Sequence, residues 1–151
     1  MPFKSNKDEA YFVIEKLTNA GYYSVLAGGC VRDELFGLTP VDFDVATAAP
    51  PDVVIKLFDT TKDFAKRYGV VFVTFKKHKC VEVTTFRKDF RYVDGRHPQN
   101  IEFGDITDDF KRRDFTINAI YKDIYKNEFI DFCDGINDVK NKVLRCVNNA
   151  D

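Results

Sequence analysis

Residues 28–45 read GGCVRDELFGLTPVDFDV and carry a glycine pair followed by two aspartates that are one residue apart. Alternate residues of an extended segment point to the same side, so Asp42 and Asp44 are expected to share one face of a strand. The residues expected to face the core are Val41, Phe43 and Val45. Two carboxylates on one face repel each other unless a cation lies between them, and Mg²⁺ prefers such oxygen ligands. The pattern therefore predicts a magnesium site, whereas an isolated Asp-x-Asp would more simply indicate a solvated acidic face.

The glycine pair, Gly28 and Gly29, lies between two predicted elements. An apolar run at residues 24–27 predicts a buried strand, and residues 30–36 predict a helix whose core-facing residues are Val31, Leu35 and Phe36. This order exposes backbone N–H groups to an anion, and glycine is needed because a Cβ would keep a phosphate oxygen away from the main chain. Arg32 can add charge-assisted hydrogen bonds to the same phosphates. The alternative interpretation is a tight turn followed by a surface arginine.

A third polar segment, KRRDFTIN at residues 111–118, has a complementary chemistry. As a helical turn it would place Asp114 and Asn118 on one face, four residues apart. A carboxylate and an amide in that arrangement suit the hydroxyl groups of a ribose. Arg112 and Arg113 add guanidinium groups that bind phosphate oxygens well. The segment alone could be an ordinary charged helix start, but three such segments together favour a nucleotide site.

A fourth segment, EVTTFR at residues 82–87, lies along the chain between the aspartate pair and KRRDFTIN. The set resembles the head domain of the class II tRNA nucleotidyltransferases, the CCA-adding enzymes, and of their bacterial poly(A) polymerase relatives. The resemblance runs from about residue 25 to residue 147. It implies an α+β fold of the nucleotidyltransferase (DNA polymerase β-like) type, in which helices flank a mixed, mostly antiparallel sheet.

The resemblance also implies a role for individual residues. The implied catalytic acids are Asp42, Asp44 and Glu82, of which Asp42 and Asp44 are the implied metal ligands. The implied nucleotide-binding residues are Gly28, Gly29, Arg32, Arg113, Asp114 and Asn118. Glu82 also fits a simpler pattern, because an acid that alternates with valines is common in an ordinary edge strand.

The reaction implied by the resemblance is CCA addition, in which CMP and AMP from CTP and ATP are added to the 3′ end of a tRNA without a template. Two Mg²⁺ ions are the implied cofactors for in-line attack of the 3′-hydroxyl on the α-phosphorus. One alternative is a poly(A) polymerase head, and another is a non-catalytic module that binds nucleotide or RNA. The sequence DGRHP at residues 94–98 resembles the CCA-adding version of a specificity loop, although a disordered surface excursion is the simpler interpretation.

Length and element order predict one domain. The resemblance implies that this domain, residues 1–151, is a nucleotidyltransferase head and that the base-reading neck and the tRNA-binding body are absent. We therefore expect activity to need a C-terminal half, either on the same longer protein or on another chain. The formal net charge of −1 means that RNA affinity must come from local basic clusters rather than from overall charge. No apolar run has the length of a membrane span, and four scattered cysteines predict reduced thiols and a cytoplasmic location.

Apolar periodicity predicts the remaining elements. Predicted helices lie at residues 8–20, 51–58 and 136–140. Predicted strands lie at residues 70–75, 80–86, 119–124, 128–132 and 143–147, with a basic hairpin tip at 76–79 and a long loop at 90–103. The first helix is expected to bury Phe12, Val13, Leu17 and Ala20.

Overall fold

The structure is a computed structural model that describes residues 5–63, 65–75, 80–89 and 101–148. The described helices are α1 (Asn6–Asn19), α2 (Gly29–Leu35), α3 (Pro51–Leu57), α4 (Ile106–Lys111) and α5 (Gly135–Asn141). The described strands are β1 (Ser24–Ala27), β2 (Asp44–Thr47), β3 (Thr61–Lys62), β4 (Val70–Val73), β5 (Val81–Thr85), β6 (Arg87–Asp89), β7 (Ile101–Phe103), β8 (Ile120–Asp123) and β9 (Glu128–Asp131). Short 3₁₀ turns lie at Lys66–Tyr68 and Thr116–Asn118.

A seven-stranded sheet forms the centre of the fold, in the order β3-β4-β5-β2-β1-β8-β9. Neighbouring strands in it are antiparallel except β2 and β5, which are parallel. Strands β6 and β7 form a separate antiparallel pair. The mixed, mostly antiparallel sheet confirms the predicted α+β class.

Hydrophobic cores lie on both faces of the sheet. The larger core receives side chains from α1, α2, α3 and α5, and α4 packs against the smaller one. In β1, Leu26 belongs to the larger core while Val25 and Ala27 belong to the smaller, because successive side chains of a strand point to opposite faces. This double burial leaves β1 without a solvent face and fixes the position of the turn at Gly28.

Helix α1 confirms the prediction for residues 8–20, but with a different buried face. Its N-cap Ser5 accepts a hydrogen bond from the backbone N–H of Asp8. The buried apolar residues are Ala10, Val13, Ile14 and Leu17. Phe12 and Ala20 are exposed, so their predicted burial was wrong; Phe12 instead meets the rings of Phe58 and Phe75 edge-on. Every helix among the described residues is too short or too polar to cross a bilayer.

The segment between α2 and β2 differs from the predicted continuous strand. Strand β2 begins only at Asp44, and Asp42 lies in an exposed bend before it. Phe43 and Val45 are buried as predicted, but the predicted burial of Val41 and Phe36 was wrong because both are exposed. The cause is the end of α2, where the C-cap Phe36 already points away from the core. The chain then returns to the sheet over several residues.

Two predicted hairpins are present. Strands β4 and β5 pair antiparallel, and β8 and β9 turn at Asn127, whose φ of 52° suits a tight turn. The predicted loop at 90–103 was wrong at its end, because Ile101–Phe103 pairs with Arg87–Asp89. The basic tip at 76–79 and the sequence DGRHP at 94–98 lie outside the described residues.

The segment at residues 111–118 does not form the predicted single helical turn. Helix α4 ends at Lys111, the chain is irregular through Asp114, and a 3₁₀ turn follows at Thr116–Asn118. The predicted strand at 143–147 was also wrong, since these residues hold one isolated bridge, between Phe115 and Cys146. The short helix predicted at 136–140 is confirmed by α5.

Candidate active site

Two carboxylates from neighbouring strands meet at the centre of the candidate site. The parallel register of β2 and β5 places Asp44 directly opposite Glu82. Their side chains are in hydrogen-bonding contact. Burial, followed by the negative charge and the hydrogen bond of Glu82, raises the pKa of Asp44 to about 7. Strand β5 lies between β4 and β2, so Glu82 is not on an edge strand, contrary to the simpler interpretation of its pattern.

The third predicted acid, Asp42, is less closely placed. It lies in the exposed bend before β2, and its charge affects the pKa of Asp44 less than burial, Glu82 or Arg113 does. Across the described ranges, no group of three acidic, histidine or cysteine side chains is arranged to hold a metal ion. The structure thus brings Asp44 and Glu82 into contact, with Asp42 at the border of the site.

The turn at Gly28 forms one wall of the site. Gly28 caps α2 with φ 73° and ψ −137°, a conformation that is costly for any residue with a Cβ. An added Cβ there would lie 3.7 Å from Asp44 Oδ2 and 3.7 Å from Arg113 Nη1. This glycine therefore lies beside both Asp44 and the guanidinium group of Arg113.

Arg113 is held on one side by a buried acid and a buried phenol. Its Nε donates to Asp109 Oδ2 at 3.2 Å and to Tyr121 Oη at 3.1 Å, and its Nη2 lies 3.1 Å from Asp109 Oδ2. Tyr121 donates its own hydroxyl proton to Asp109 Oδ2 at 2.6 Å. Burial alone would raise the pKa of Asp109, but the charges of Arg113 and Arg112 outweigh it and hold that pKa below its usual value.

A second cationic group, Arg32, joins α2 to the segment at Thr116–Asn118. Arg32 Nη1 donates to Asn118 Oδ1 at 2.8 Å, and Asn118 Nδ2 is 3.5 Å from Asp114 Oδ1. Arg32 Nη2 also lies against Gly29, 3.3 Å from where a Cβ would be. The predicted nucleotide-binding residues Gly29, Arg32, Asp114 and Asn118 are therefore neighbours, although Asp114 and Asn118 do not share a helix.

Packing against α5 fixes the 3₁₀ turn that carries Asn118. Thr116 donates its hydroxyl proton to Asp138 Oδ2 at 2.5 Å, and its backbone N–H donates to the carbonyl of Arg145 at 2.9 Å. Gly135 allows this contact, because a Cβ on it would lie 2.2 Å from the carbonyl oxygen of Thr116. The position of the turn at Thr116–Asn118 thus depends on the close approach of the Gly135 backbone in α5.

The sequence analysis missed three residues that shape the site. Asp109 could have been found, since it lies in α4 four residues before Arg113, a spacing that pairs opposite charges. Tyr121 and Gly135 had no local signal. Their partners lie on distant elements, and only the assembled sheet and α5 reveal them.

Residues 24–145 match the family of poly A polymerase head domains. The chain belongs to this family. The predicted resemblance is confirmed by the CCA-adding enzyme of Ligilactobacillus salivarius (strain UCC118), which is 39% identical over 140 residues, covering 92% of this chain and 34% of the relative. This head domain chain therefore spans about a third of the length of the curated relatives it matches.

Solved structures agree with the family assignment. The Bacillus stearothermophilus CCA-adding enzyme in complex with CTP superposes with a TM-score of 0.82 at 36% identity, covering 96% of this chain and 34% of that one. A tRNA nucleotidyltransferase complexed with a primer tRNA and an incoming ATP analog gives a TM-score of 0.64 at 26% identity, covering 90% of this chain and 39% of that one. These similarities confirm the predicted head-domain fold.

Proposed function

We propose that this chain is the catalytic head of a CCA-adding tRNA nucleotidyltransferase, which transfers CMP and AMP from CTP and ATP to the 3′ end of a tRNA. The observation that carries the proposal is the contact between Asp44 and Glu82 beside Gly28 and Arg113. The site combines an acidic pair, a glycine turn and a cationic group within one small region. The names of the relatives supply the substrate class.

Nucleotidyltransferases generally use a divalent metal. The donor set here fits such an ion, because Asp44 and Glu82 offer carboxylate oxygens in contact with each other and Asp42 adds a third charge nearby. We propose two Mg²⁺ ions, with Asp42 and Asp44 as ligands and Glu82 beside the first ion. When bound, such ions lower the pKa of the attacking hydroxyl and stabilise the leaving pyrophosphate.

The remaining residues position the nucleotide. Gly28 and Gly29 let phosphate oxygens approach the main chain, and Arg113 and Arg32 neutralise charge on the triphosphate. Asp114 and Asn118 lie next to each other. The Asp114 carboxylate accepts hydrogen bonds from the ribose hydroxyls, and the Asn118 amide donates to them.

In the reaction, the tRNA 3′-hydroxyl loses its proton to solvent and its oxygen forms a bond to the α-phosphorus, while the bond from that phosphorus to the oxygen bridging to the β-phosphorus breaks. Pyrophosphate is the leaving group. Because the reaction needs no covalent intermediate with the protein, the contribution of these side chains is positioning and charge stabilisation.

Incorporation of labelled CTP and ATP into a tRNA that lacks its 3′ end tests the proposal. The assay is run on this chain, with and without the C-terminal part of a curated relative, because we expect a further half to be needed. Asp44→Asn and Glu82→Gln should abolish incorporation while leaving the circular dichroism spectrum unchanged. Asp52→Asn is the matched control, since Asp52 is an exposed acid paired with Lys66. Normal incorporation by Asp44→Asn would refute the mechanism.

Poly(A) addition is the second candidate function, because the matching family takes its name from that activity. Giving the same protein an unstructured RNA separates the two. Three added nucleotides on the tRNA support CCA addition, whereas a long A-tail on the unstructured RNA supports poly(A) polymerase. Mg²⁺-dependent binding of CTP and ATP without any transfer, even with the C-terminal part present, would favour a non-catalytic module. A cytoplasmic location stays a prediction.

A further inference from the structure

We infer that Asp109 and Tyr121 are positioning residues, which hold the guanidinium of Arg113 so that its Nη1 faces the triphosphate. The inference rests on the proposed function and deepens it. It assigns a role in nucleotide binding to two buried residues that do not themselves reach the site.

The contacts of Arg113 distinguish two sides of its guanidinium: one is held by Asp109 and Tyr121, and the other faces Gly28 and Asp44. Nε and Nη2 face Asp109 Oδ2, and Nε also meets the Tyr121 hydroxyl. Nη1 is on the other side, next to Gly28. The guanidinium is planar and rigid, so fixing two of its nitrogen atoms determines the direction of the third.

The fold anchors Asp109 and Tyr121 more firmly than it anchors Arg113 itself. Asp109 is 0% exposed and is bound through its other oxygen, Oδ1, to Arg112 Nε at 3.0 Å. Helix α4 carries Asp109, and its capping box at Asp105 fixes where that helix begins. A carboxylate with both oxygens occupied and no exposure has little freedom to turn, so it can serve as a fixed reference for Arg113.

Strand register explains why Tyr121 occupies this position. In the pairing of β1 with β8, Tyr121 lies opposite Ala27, the residue immediately before Gly28. Its ring is buried in the smaller core, and Arg113 lies over that ring at 5.2 Å from the centroid. The strand that leads into the phosphate-binding turn therefore also locates the phenol that holds the arginine.

Arg113 is itself mostly buried, with 16% of its side chain exposed. A simple structural ion pair would use the same contacts with Asp109, but it would need no phosphate. A positioning role makes a different prediction: the effect of removing the Tyr121 hydroxyl should depend on Arg113 and should be seen on the phosphate part of the ligand. A prearranged arginine loses less freedom on binding, and this should appear as affinity.

The test is Tyr121→Phe, which removes one oxygen and keeps the buried ring. Titration calorimetry in Mg²⁺ should give CTP and inorganic triphosphate affinities that are both roughly threefold to tenfold weaker than those of the unmodified chain. Tyr22→Phe is the matched control, because Tyr22 is a partly buried tyrosine that packs on the larger core, and it should leave both affinities unchanged. Asp109→Asn is a second variant that keeps the side-chain shape.

A double-mutant cycle separates positioning from general loosening. On an Arg113→Ala background, Tyr121→Phe should have no further effect on CTP affinity if it acts through Arg113. An equal loss on both backgrounds would overturn the inference. So would unchanged CTP affinity in Tyr121→Phe when Arg113→Ala alone weakens binding, and in that case the proposed function would stand. Failure of the unmodified chain to bind CTP in Mg²⁺, even with the C-terminal part of a curated relative present, would overturn both.

Discussion

Replacing Gly28 by alanine tests whether the main chain beside Asp44 and Arg113 is where a triphosphate binds. The φ of Gly28 is +73°, so alanine at this position is strained by about 1 to 3 kcal/mol. Its Cβ would meet Asp44 Oδ2 and Arg113 Nη1 at 3.7 Å, which is an ordinary van der Waals distance. The loss of folding stability should therefore come from the backbone alone, with no added clash.

The effect on nucleotide binding should be separate from that strain. A methyl group between the acidic pair and the arginine would occupy the space through which a phosphate oxygen reaches the main chain. Losing one hydrogen bond to a charged group, about 1.5 to 3 kcal/mol, should weaken CTP affinity roughly tenfold or more. The assay is CTP titration in Mg²⁺, together with thermal unfolding of the same samples.

Gly37 offers a matched control for this experiment. It has a similar positive φ of 80°, but no atom lies within 4 Å of where its Cβ would be. Gly37→Ala should lose comparable stability and keep its CTP affinity. If Gly28→Ala bound CTP as tightly as Gly37→Ala, the assignment of the phosphate-binding turn would be wrong.

Three further predictions concern stability. Asp44→Asn should raise the free energy of unfolding in chelator at pH 8 by about 1 to 2 kcal/mol, because it removes a charge that is buried and repelled by Glu82. Lower stability in urea titrations would contradict this. Gly135→Ala should lower stability by about 3 kcal/mol, because its Cβ would overlap the Thr116 carbonyl, and a normal melting temperature would exclude that close approach. Asp105→Ala should lower the melting temperature through loss of the α4 capping box, and an unchanged thermal unfolding curve would contradict this.

Several elements could be predicted because their signals are local. The apolar run of β1, the Gly28-Gly29 turn and α2 follow one another within a dozen residues, and each is set by its own periodicity or backbone freedom. The predictions that were wrong depended on distant partners. Ile101–Phe103 becomes a strand because Arg87–Asp89 offers it a pairing edge, and residues 143–147 make only an isolated bridge to Phe115.

In the candidate site, too, local features could be predicted and contacts between distant elements could not. Residue types and their order indicated the acids, the glycines and the arginines, since each motif is short and continuous in the chain. Which of these side chains touch each other could not be predicted from the motifs. Asp44 meets Glu82 only because β2 and β5 pair in parallel with one particular register, and a shift by one residue would turn one carboxylate to the opposite face.

The sequence by itself determined which chemical groups are present and which short segments carry them, because local backbone preferences and apolar patterns are written within a few residues. Only the tertiary structure decided how those groups are oriented. Arg113 has its direction from Asp109 on α4 and Tyr121 on β8, and Asn118 has its place from contacts with α5. Such orientations depend on packing between elements that are far apart in the chain, and no local sequence pattern specifies how those elements are placed relative to each other.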